Sequence, residues 1–374
     1  MQVWDRRNPS FLKWSTSNNT SNNNNKKDLE EGVDDALGYV LEDRLINAEI
    51  ENNLPNNVKL LCQTQLTGIE EIGGEGGGKA RVTYKSTDSS STSALDVDLL
   101  IGADGGNSSV RRLLNIPTSS HSYGQVACCA TISTVGGAEY RHGHNTAYQR
   151  FLDEGPVAML PLWDGLYNIV WTMEPDTAKE VKADPDGFIG RLQEAIMKGP
   201  ESSGPPSVLS AITDGLGLVN MNEFHSPSSS TYFTPPPTPT SLVSPILSFP
   251  LSTHAAHNYV KGNCVLIGDA AHGVHPMAGQ GLNLGLADVE ELVLRVGSSV
   301  GGGGKVNDKL GLEIYERKRM RKVMVAQGGI HALREIFRFK GPGDMGGIGR
   351  AVGMAGVNMV PGLKEQLKQA AMGL

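Results

Sequence analysis

The sequence predicts an α/β fold. An open parallel sheet of the Rossmann-like kind is interleaved with a second, strand-rich region and followed by C-terminal helices. Three observations carry this. Residues 264–267 are a continuous apolar run, Cys264-Val265-Leu266-Ile267, that stops at Gly268-Asp269. That is the pattern of a strand buried on both faces. A loop with Gly273, Gly279 and Gly281 and then a helix pattern follow it. Residues 97–101 repeat the arrangement, with the Asp104-Gly105 turn and a short helix from Ser108 behind them. Between these two units, residues 126–134 and 146–173 alternate and turn like a meander of strands.

The bulk numbers fit such a fold. The chain has 374 residues, enough for two domains or one large discontinuous one. The formal net charge of −7 argues against a nucleic-acid binder. Cys62, Cys128, Cys129 and Cys264 have neither metal spacing nor a disulfide framework, which fits a reducing compartment. No apolar run is long enough to span a bilayer, and residue 1 opens no signal-peptide pattern.

In chain order, residues 1–5 read as a strand and residues 15–27 as a flexible Ser/Asn/Lys loop. Residues 34–53 read as a helix with the stripe Leu37, Leu41, Leu45 and Ala48, ended by Asn52-Asn53 and Pro55. Residues 58–62 look like a strand, and residues 64–72 and 80–84 a hairpin. Residues 87–93 are a polar insert. A helix is expected over residues 186–197, and the Pro/Ser-rich residues 202–245 read as a disordered insert. Residues 310–326 read as a helix with a basic face (Arg317, Lys318, Arg319, Arg321, Lys322). It continues over 328–340 with a bend at Gly328-Gly329. That face reads as solvated, or as a contact with an anionic membrane or a partner.

The chemistry concentrates at the two strand ends. An Asp at the carboxyl end of a parallel strand points into the crevice where open α/β sheets hold ligands, and Asp269 stands there. Its carboxylate suits ribityl or ribose hydroxyls. The helix that follows places Leu282, Leu286, Val289, Val293 and Val296 on one face, with Asp288, Glu290 and Glu291 towards its N-terminal half and Arg295 in its last turn before Gly297. Its N-terminus suits a phosphate or an electron-rich ring carbonyl. Beside Asp104, Arg111 and Arg112 are cations for a pyrophosphate or for the Asp104 carboxylate. The plainer readings are a packing helix in one case and a turn with solvated arginines in the other. The pairs His142/His144, His254/His257 and His272/His275 have metal-compatible spacing, but no Cys or acidic cluster completes a site, so no metal is expected.

The length of the pattern goes further. His275-Pro276-Met277-Ala278-Gly279-Gln280-Gly281-Leu282-Asn283-Leu284-Gly285, followed by Asp288, closely resembles the signature of the ubiquinone-biosynthesis flavin monooxygenases. Met277 is a mild departure from it. Gly268-Asp269-Ala270-Ala271-His272 looks like the second FAD motif of the wider para-hydroxybenzoate-hydroxylase-like superfamily, and residues 102–112 look like its middle motif. The resemblance implies FAD bound by Asp104, Gly105, Arg111, Gly268, Asp269, His275, Pro276, Gly279, Gln280, Gly281, Leu282 and Asn283. Asp269 would hold the ribityl chain, the 279–283 backbone would face the pyrimidine end of the ring, and Pro276 its edge. Asp104 and Arg111 would support FAD or the reductant path. The strand meander resembles the family's substrate sheet, with Gln149 and Arg150 as weak substrate-lining candidates.

The implied division is an FAD-binding part at 1–115, a substrate domain at 116–258, a return FAD-binding segment at 259–300 and a helical region at 301–374. The resemblance starts partway into the family's length. No strand, G-x-G-x-x-G turn and helix precede Trp4, so the first βαβ unit is expected to be missing and Met1 to be an internal start. Any targeting peptide would have gone with it. A literal match at Gly341-Pro342-Gly343-Asp344-Met345-Gly346 follows the basic Arg338-Phe339-Lys340 rather than an apolar strand and is rejected.

The implied activity is hydroxylation of a polyprenylated hydroxybenzoate-type precursor of coenzyme Q. O2 would act through a flavin C4a-hydroperoxide, with NAD(P)H or ferredoxin as reductant. The flavin carries that chemistry, so no catalytic side chain is expected. The implied setting is a coenzyme Q biosynthetic complex peripheral to the matrix face of the mitochondrial inner membrane. Two alternatives stay open: another flavin hydroxylase of the superfamily, and a non-catalytic fragment or scaffold subunit that holds no FAD.

Overall fold

The computed structural model describes residues 1–5, 11–14, 38–73, 78–87, 91–135, 146–200, 233–276 and 279–338. The chain opens with β1 (Gln2–Asp5) and β2 (Phe11–Lys13), then α1 (Asp43–Asn52). Next come β3 (Thr64–Ile72), β4 (Lys79–Ser86), β5 (Thr92–Val97), β6 (Leu100–Gly102) and the single-turn α2 (Ser109–Leu113). The middle of the chain is β7 (Thr118–Thr134), β8 (Tyr148–Phe151), β9 (Pro156–Pro161) and β10 (Leu166–Met173), then α3 (Pro175–Ala183) and α4 (Pro185–Ile196). It returns through β11 (Pro239–Leu242), β12 (Leu247–Ala256), β13 (Val260–Lys261), β14 (Cys264–Leu266) and β15 (His272–Gly273) to two long helices, α5 (Gly281–Gly301) and α6 (Lys309–Arg338).

Three sheets result. The largest runs β15-β12-β7-β10-β9-β8-β1-β2, with β11 also on β7. The 17-residue β7 is its spine: β-branched, aromatic and small residues run along it, interrupted at Gly124 (φ +66°), where its register with β12 shifts. Alternation gives the sheet two faces. On one, Trp4, Cys128, Ala130, Ile132, Met159 and Ile169 form a core with Phe188, Leu192 and Ile196 of α4. The other face is only half-buried at Cys129, Thr131, Ala158, Leu160, Asn168 and Val170. The second sheet is β13-β14-β6, in which β14 lies parallel to β6. Its core joins Val110, Tyr259, Val265, Leu266, Leu292, Leu312 and Tyr315, so α2, α5 and α6 all pack on it. The third is the meander β3-β4-β5.

Several expectations are corrected. Residues 58–62 form no strand: Val58, Leu60 and Leu61 are exposed and, among the described residues, no strand pairs with them. Among the described residues, the helix read over 34–53 is α1 from Asp43, and it buries no side chain. The single helix read over 186–197 is preceded by a second, α3; Pro175 and Pro185 each begin a helix, where a missing N–H costs nothing. Asp184 accepts from Gly187 N (3.0 Å) to cap the second. The end of the polar insert at 87–93 belongs to β5, held against β4 by the cross-strand pair Arg81–Asp96. Residues 233–245, assigned to the disordered insert, are ordered. There β11 pairs with β7, and Gln2 exchanges hydrogen bonds with the backbone of Thr234 in both directions (3.0 Å each). The remainder, 201–232, lies outside the described residues, as do 15–37, 277–278 and 339–374.

The boundary at 115 is not where the sheets part. β1 and β2 lie in the largest sheet, where β1 runs parallel to β8 and Trp4 is fully buried among its core. The two C-terminal helices differ from expectation too. α5 runs past Gly297 to Gly301, and α6 is continuous through Gly328-Gly329. α5 also faces the other way: Leu282, Leu286, Val289 and Val293 are 61%, 57%, 41% and 63% exposed, while Asp288, Glu291 and Leu292 are buried. Buried ion pairs, described next, explain the inversion. Among the described residues, no helix is long and apolar enough to cross a membrane.

Candidate flavin-binding site

The parallel pairing of β6 with β14 sets Leu100 beside Cys264 and Gly102 beside Leu266. Both strands therefore end at the same edge, and both motif loops leave from it. A methyl on Gly102 would come within 2.8 Å of Leu266 Cδ2 and 2.9 Å of Val110 Cγ1, so only glycine admits this close pairing with α2 on top.

Arg111 joins the two loops. Its Nη1 donates to Ala270 O (2.7 Å) and its Nη2 to Gly106 O (2.6 Å). It does not hold Asp104, as the sequence suggested. The Asp104 carboxylate accepts from Ser108 Oγ (2.5 Å), Ser109 N (2.6 Å) and Val110 N (3.1 Å), which uses it as the cap of α2. Burial pushes its carboxyl up, but those hydrogen bonds outweigh burial and leave it below the usual range. His254 completes the junction through a 2.8 Å hydrogen bond between Nε2 and Asp269 O.

The second motif begins as a turn of 3-10 helix, Gly268–Ala270. Gly268 has φ +55°, the left-handed region, and its Cα lies against Gly285 of α5. The Asp269 side chain is exposed at the strand end, and among the described residues its carboxylate takes no hydrogen bond. Gly105, Gly279 and Gly281 present open backbone: a methyl on any of them would meet no protein atom within 4 Å. The first turn of α5 holds no acidic residue, and Leu282 and Asn283 are exposed on it. Gln280 and Pro276 are half-buried. His275 is 1% exposed, and burial, then the nearby Arg334 charge, pushes its imidazole down to about 4.

A buried charge cluster supports the loop from below. Asp288, fully buried, accepts from Gly268 N (2.8 Å), pairs with His272 Nε2 (2.7 Å) and accepts from Arg319 Nε (2.6 Å). Burial raises this carboxyl, but His272, Arg319 and the Gly268 N–H together outweigh burial and hold it below its usual range. Arg319 Nη2 also donates to Leu284 O (3.1 Å), and Tyr315 donates to Leu266 O (2.8 Å). Farther along α6, Gln327 donates to both His254 O and Gly273 O at 2.9 Å. Sequence reading missed these residues and set Arg319 on a solvated face. The signal was the spacing of Leu312, Tyr315, Arg319, Val323, Ile330 and Arg334, which puts two arginines on the buried stripe of the helix.

The substrate candidates separate. Arg150 is buried towards α4, where its Nη1 donates to Ala195 O at 2.7 Å, so it does not line the half-buried face. Strand alternation turns Gln149 the other way, to the side where Phe151 stacks on Phe337 of α6 at 3.6 Å. On the half-buried face, a cavity of about 380 Å³ lies between Val40, Leu41 and Asp43 and the strand residues Thr131 and Asn168.

The donor set fits FAD. It offers an unengaged carboxylate for hydroxyls, open glycine backbone for close approach, and a long helix N-terminus free of acidic residues for an electron-rich ring edge. Fold and site together define a chain of the FAD-binding class. The family described as "FAD binding domain" matches residues 45–205 and 233–327. Among solved structures, the p-nitrophenol 4-monooxygenase of Pseudomonas putida is 14% identical, with a TM-score of 0.57 over 83% of this chain and 66% of that one. A probable FAD-dependent monooxygenase from Pseudomonas aeruginosa is 21% identical, with a TM-score of 0.55 over 84% of this chain and 71% of that one. Both are likenesses of fold.

Among curated proteins, the mitochondrial ubiquinone biosynthesis monooxygenase COQ6 of Drosophila melanogaster is 34% identical over 278 residues, 74% of this chain and 56% of that protein. The corresponding protein of Dictyostelium discoideum is 30% identical over 345 residues, 85% of this chain and 67% of that protein. The chain belongs to the family of FAD-dependent ubiquinone biosynthesis monooxygenases.

Proposed function

We propose that the protein is an FAD-dependent hydroxylase that puts one oxygen atom of O2 onto the ring of a polyprenylated hydroxybenzoate-type intermediate of ubiquinone biosynthesis. The observation that carries the reading is the junction of the two motif loops. Arg111 fixes their backbones to each other, while Asp269 and the open glycines are left facing outward.

When bound, reduced FAD supplies the activation of O2. The chain's own residues bind and orient it. Asp269 accepts hydrogen bonds from the ribityl chain. The 279–283 backbone at the start of α5 would hold the pyrimidine end of the ring, where the helix dipole favours negative charge. His275, buried and uncharged at neutral pH, adds no charge of its own to that edge. The half-buried face of the largest sheet, with Ala158, Leu160 and Val170, excludes water from the aromatic ring, and Gln149 lies on its side of β8.

The electron donor is NAD(P)H or ferredoxin. A polyprenyl tail requires access to a bilayer. α6 exposes Met324 and Val325 at 68% and 71% beside Arg317, Arg321 and Lys322, which suits peripheral contact with an anionic membrane. The relatives named as mitochondrial support a mitochondrial location, and we place the protein at the matrix side of the inner membrane within a coenzyme Q biosynthetic complex.

The test is the visible spectrum of the protein after incubation with FAD and desalting. Retained flavin bands, lost or weakened in Asp269→Ala, are expected. Retention unchanged by that substitution removes Asp269 from the ribityl contact. A second reading, a subunit that keeps the fold without the cofactor, draws on the exposed apolar face of α5. A spectrum without flavin under the same conditions would favour it.

A further inference from the structure

We propose that Arg334 is a positioning residue for the flavin-facing loop. By clamping the Tyr123 ring it sets the place of His275, and with it the peptide to Pro276. This rests on the FAD reading above only for which ligand the loop meets; the clamp itself stands on geometry.

The contacts run in series from α6 through β7 to the loop. The Arg334 guanidinium lies over the Tyr123 ring at 4.5 Å from its centroid. Its Nη2 donates to Gln125 Oε1 at 2.9 Å and approaches Tyr123 O at 3.4 Å, so the plane of the cation is fixed by the strand whose ring it covers. Tyr123 then meets the His275 ring edge to face, with centroids 4.8 Å apart and planes at 74°. All three residues are buried: Arg334 is 5% exposed, Tyr123 7% and His275 1%.

An ordinary ion pair does not explain the burial of Arg334. Its carboxylate partner, Glu335, is 52% exposed, and such a pair is largely screened. A cation placed over an aromatic face out of water is held more strongly. Gln327, two turns earlier on the same helix face, already holds the loop backbone at Gly273 O. Arg334 adds a second point of hold, through Tyr123, at His275, the residue after Val274. Between them α6 grips the loop at both sides of that residue.

The charged and titratable groups around His275 are few. From β7 come Tyr123 and, beyond it, His121, whose ring lies 5.1 Å from Tyr123. From α6 come Arg334 with Glu335, and His331, stacked 6.3 Å from Tyr123 and 6.0 Å from His121. Arg334 opposes a proton on His275, and the positive charge of Arg338, one turn farther along α6, acts on Arg334 in turn.

The experiment uses the whole protein as wild type, Arg334→Met and Arg334→Lys, with Lys322→Met as a control on the same helix. Two quantities are measured. One is FAD affinity, by flavin fluorescence near pH 6 and near pH 8. The other is the titration of the His275 ring by NMR in FAD-free protein, assigned with His275→Gln.

Arg334→Met is expected to raise the His275 midpoint by about one unit. It is also expected to weaken FAD binding about tenfold, about 1.4 kcal/mol, near pH 6 and near pH 8 alike, because His275 stays largely neutral at both. Arg334→Lys keeps the charge and loses the flat, forked contact, so it should hold the midpoint low yet weaken FAD at both pH values. Lys322→Met should change neither.

An Arg334→Met protein with wild-type midpoint and wild-type affinity overturns the proposal. If Arg334→Met does not fold, wild-type affinity in Arg334→Lys at both pH values overturns it instead. If the wild-type protein takes up no FAD, the cofactor reading fails. The His275 midpoint then decides the clamp alone: a rise in Arg334→Met sustains it and an unmoved midpoint ends it.

Discussion

Arg319 of α6 donates its Nε to Asp288 of α5 at 2.6 Å, with the two side chains 7% and 0% exposed. The same carboxylate receives the Gly268 N–H, so one buried charge ties both long helices to the first residue of the second flavin motif. This is why α5 turns its charged side inward and leaves its leucines and valines outside. A buried carboxylate needs partners, and they all lie on the α6 and loop side.

Removing one partner should cost far more than removing both. Arg319→Met leaves Asp288 buried with only His272 and an N–H, and is expected to destabilise by about 3–5 kcal/mol. The double variant Asp288→Leu/Arg319→Met should recover most of that, because an apolar pair needs no solvation. Urea unfolding of the two variants checks this. A single variant within about 1 kcal/mol of wild type would mean the pair is not a structural node.

Acid should loosen the same region by two routes. His275 is held down to about 4, below its unfolded value, by burial and then by Arg334. In the window between the unfolded and folded values the unfolded chain binds the extra proton, so stability is full above about pH 6.5 and falls as the pH drops towards 4. Asp288 is also held below its unfolded value, and its contribution is lost lower still, as the pH falls from the ordinary carboxylate range through its folded value. His275→Gln should therefore flatten the unfolding free energy between about pH 6.5 and 4 while leaving the acid limb below it. An unchanged slope in that window would remove His275 as its source.

How much of this was legible follows from the kind of signal each feature leaves. Strands β6 and β14 were readable because both end at an Asp-Gly or Gly-Asp break, a local pattern that no tertiary contact has to supply. The orientation of α5 was not. Its apolar stripe is real, yet Asp288 and Glu291 on the opposite side find Arg319, His272, Lys318 and Arg295, and those pairings span up to 31 residues. For the same reason Arg150, one residue from Gln149, was grouped with it although alternation turns it to α4. Residues 58–62 show the converse: strand-like composition with no strand to bond among the described residues yields no strand.

Gly268→Ala tests the turn that starts the second motif. The position has φ +55°, so an added Cβ is strained whatever the space. The neighbouring Gly285 Cα would stand 3.8 Å from that Cβ, an ordinary contact, so strain and not collision sets the cost. Loss of about 1 kcal/mol in unfolding free energy is expected. Gly102→Ala, by contrast, drives a methyl into Leu266 and Val110 and should lose about 1–3 kcal/mol. Equal costs at the two sites would contradict the distinction.

Arg111 gives the sharpest separation of structure from cofactor binding. Its two hydrogen bonds reach carbonyls on different loops, Gly106 and Ala270, whereas among the described residues Arg112 reaches only Ser108 and Ser109 at the start of its own helix. Arg111→Met should therefore cost about 1–2 kcal/mol of stability, since both of its bonds are charge-assisted and the one to Ala270 is partly shielded. Arg112→Met should stay within about 0.5 kcal/mol of wild type, as surface changes do. FAD affinity should fall in Arg111→Met because Gly105 and Asp269 lose their common tether, and it should hold in Arg112→Met. If both substitutions weakened FAD equally while only Arg111→Met lost stability, the arginines would be acting on the cofactor by charge alone, and the tether would not be what aligns the two motifs.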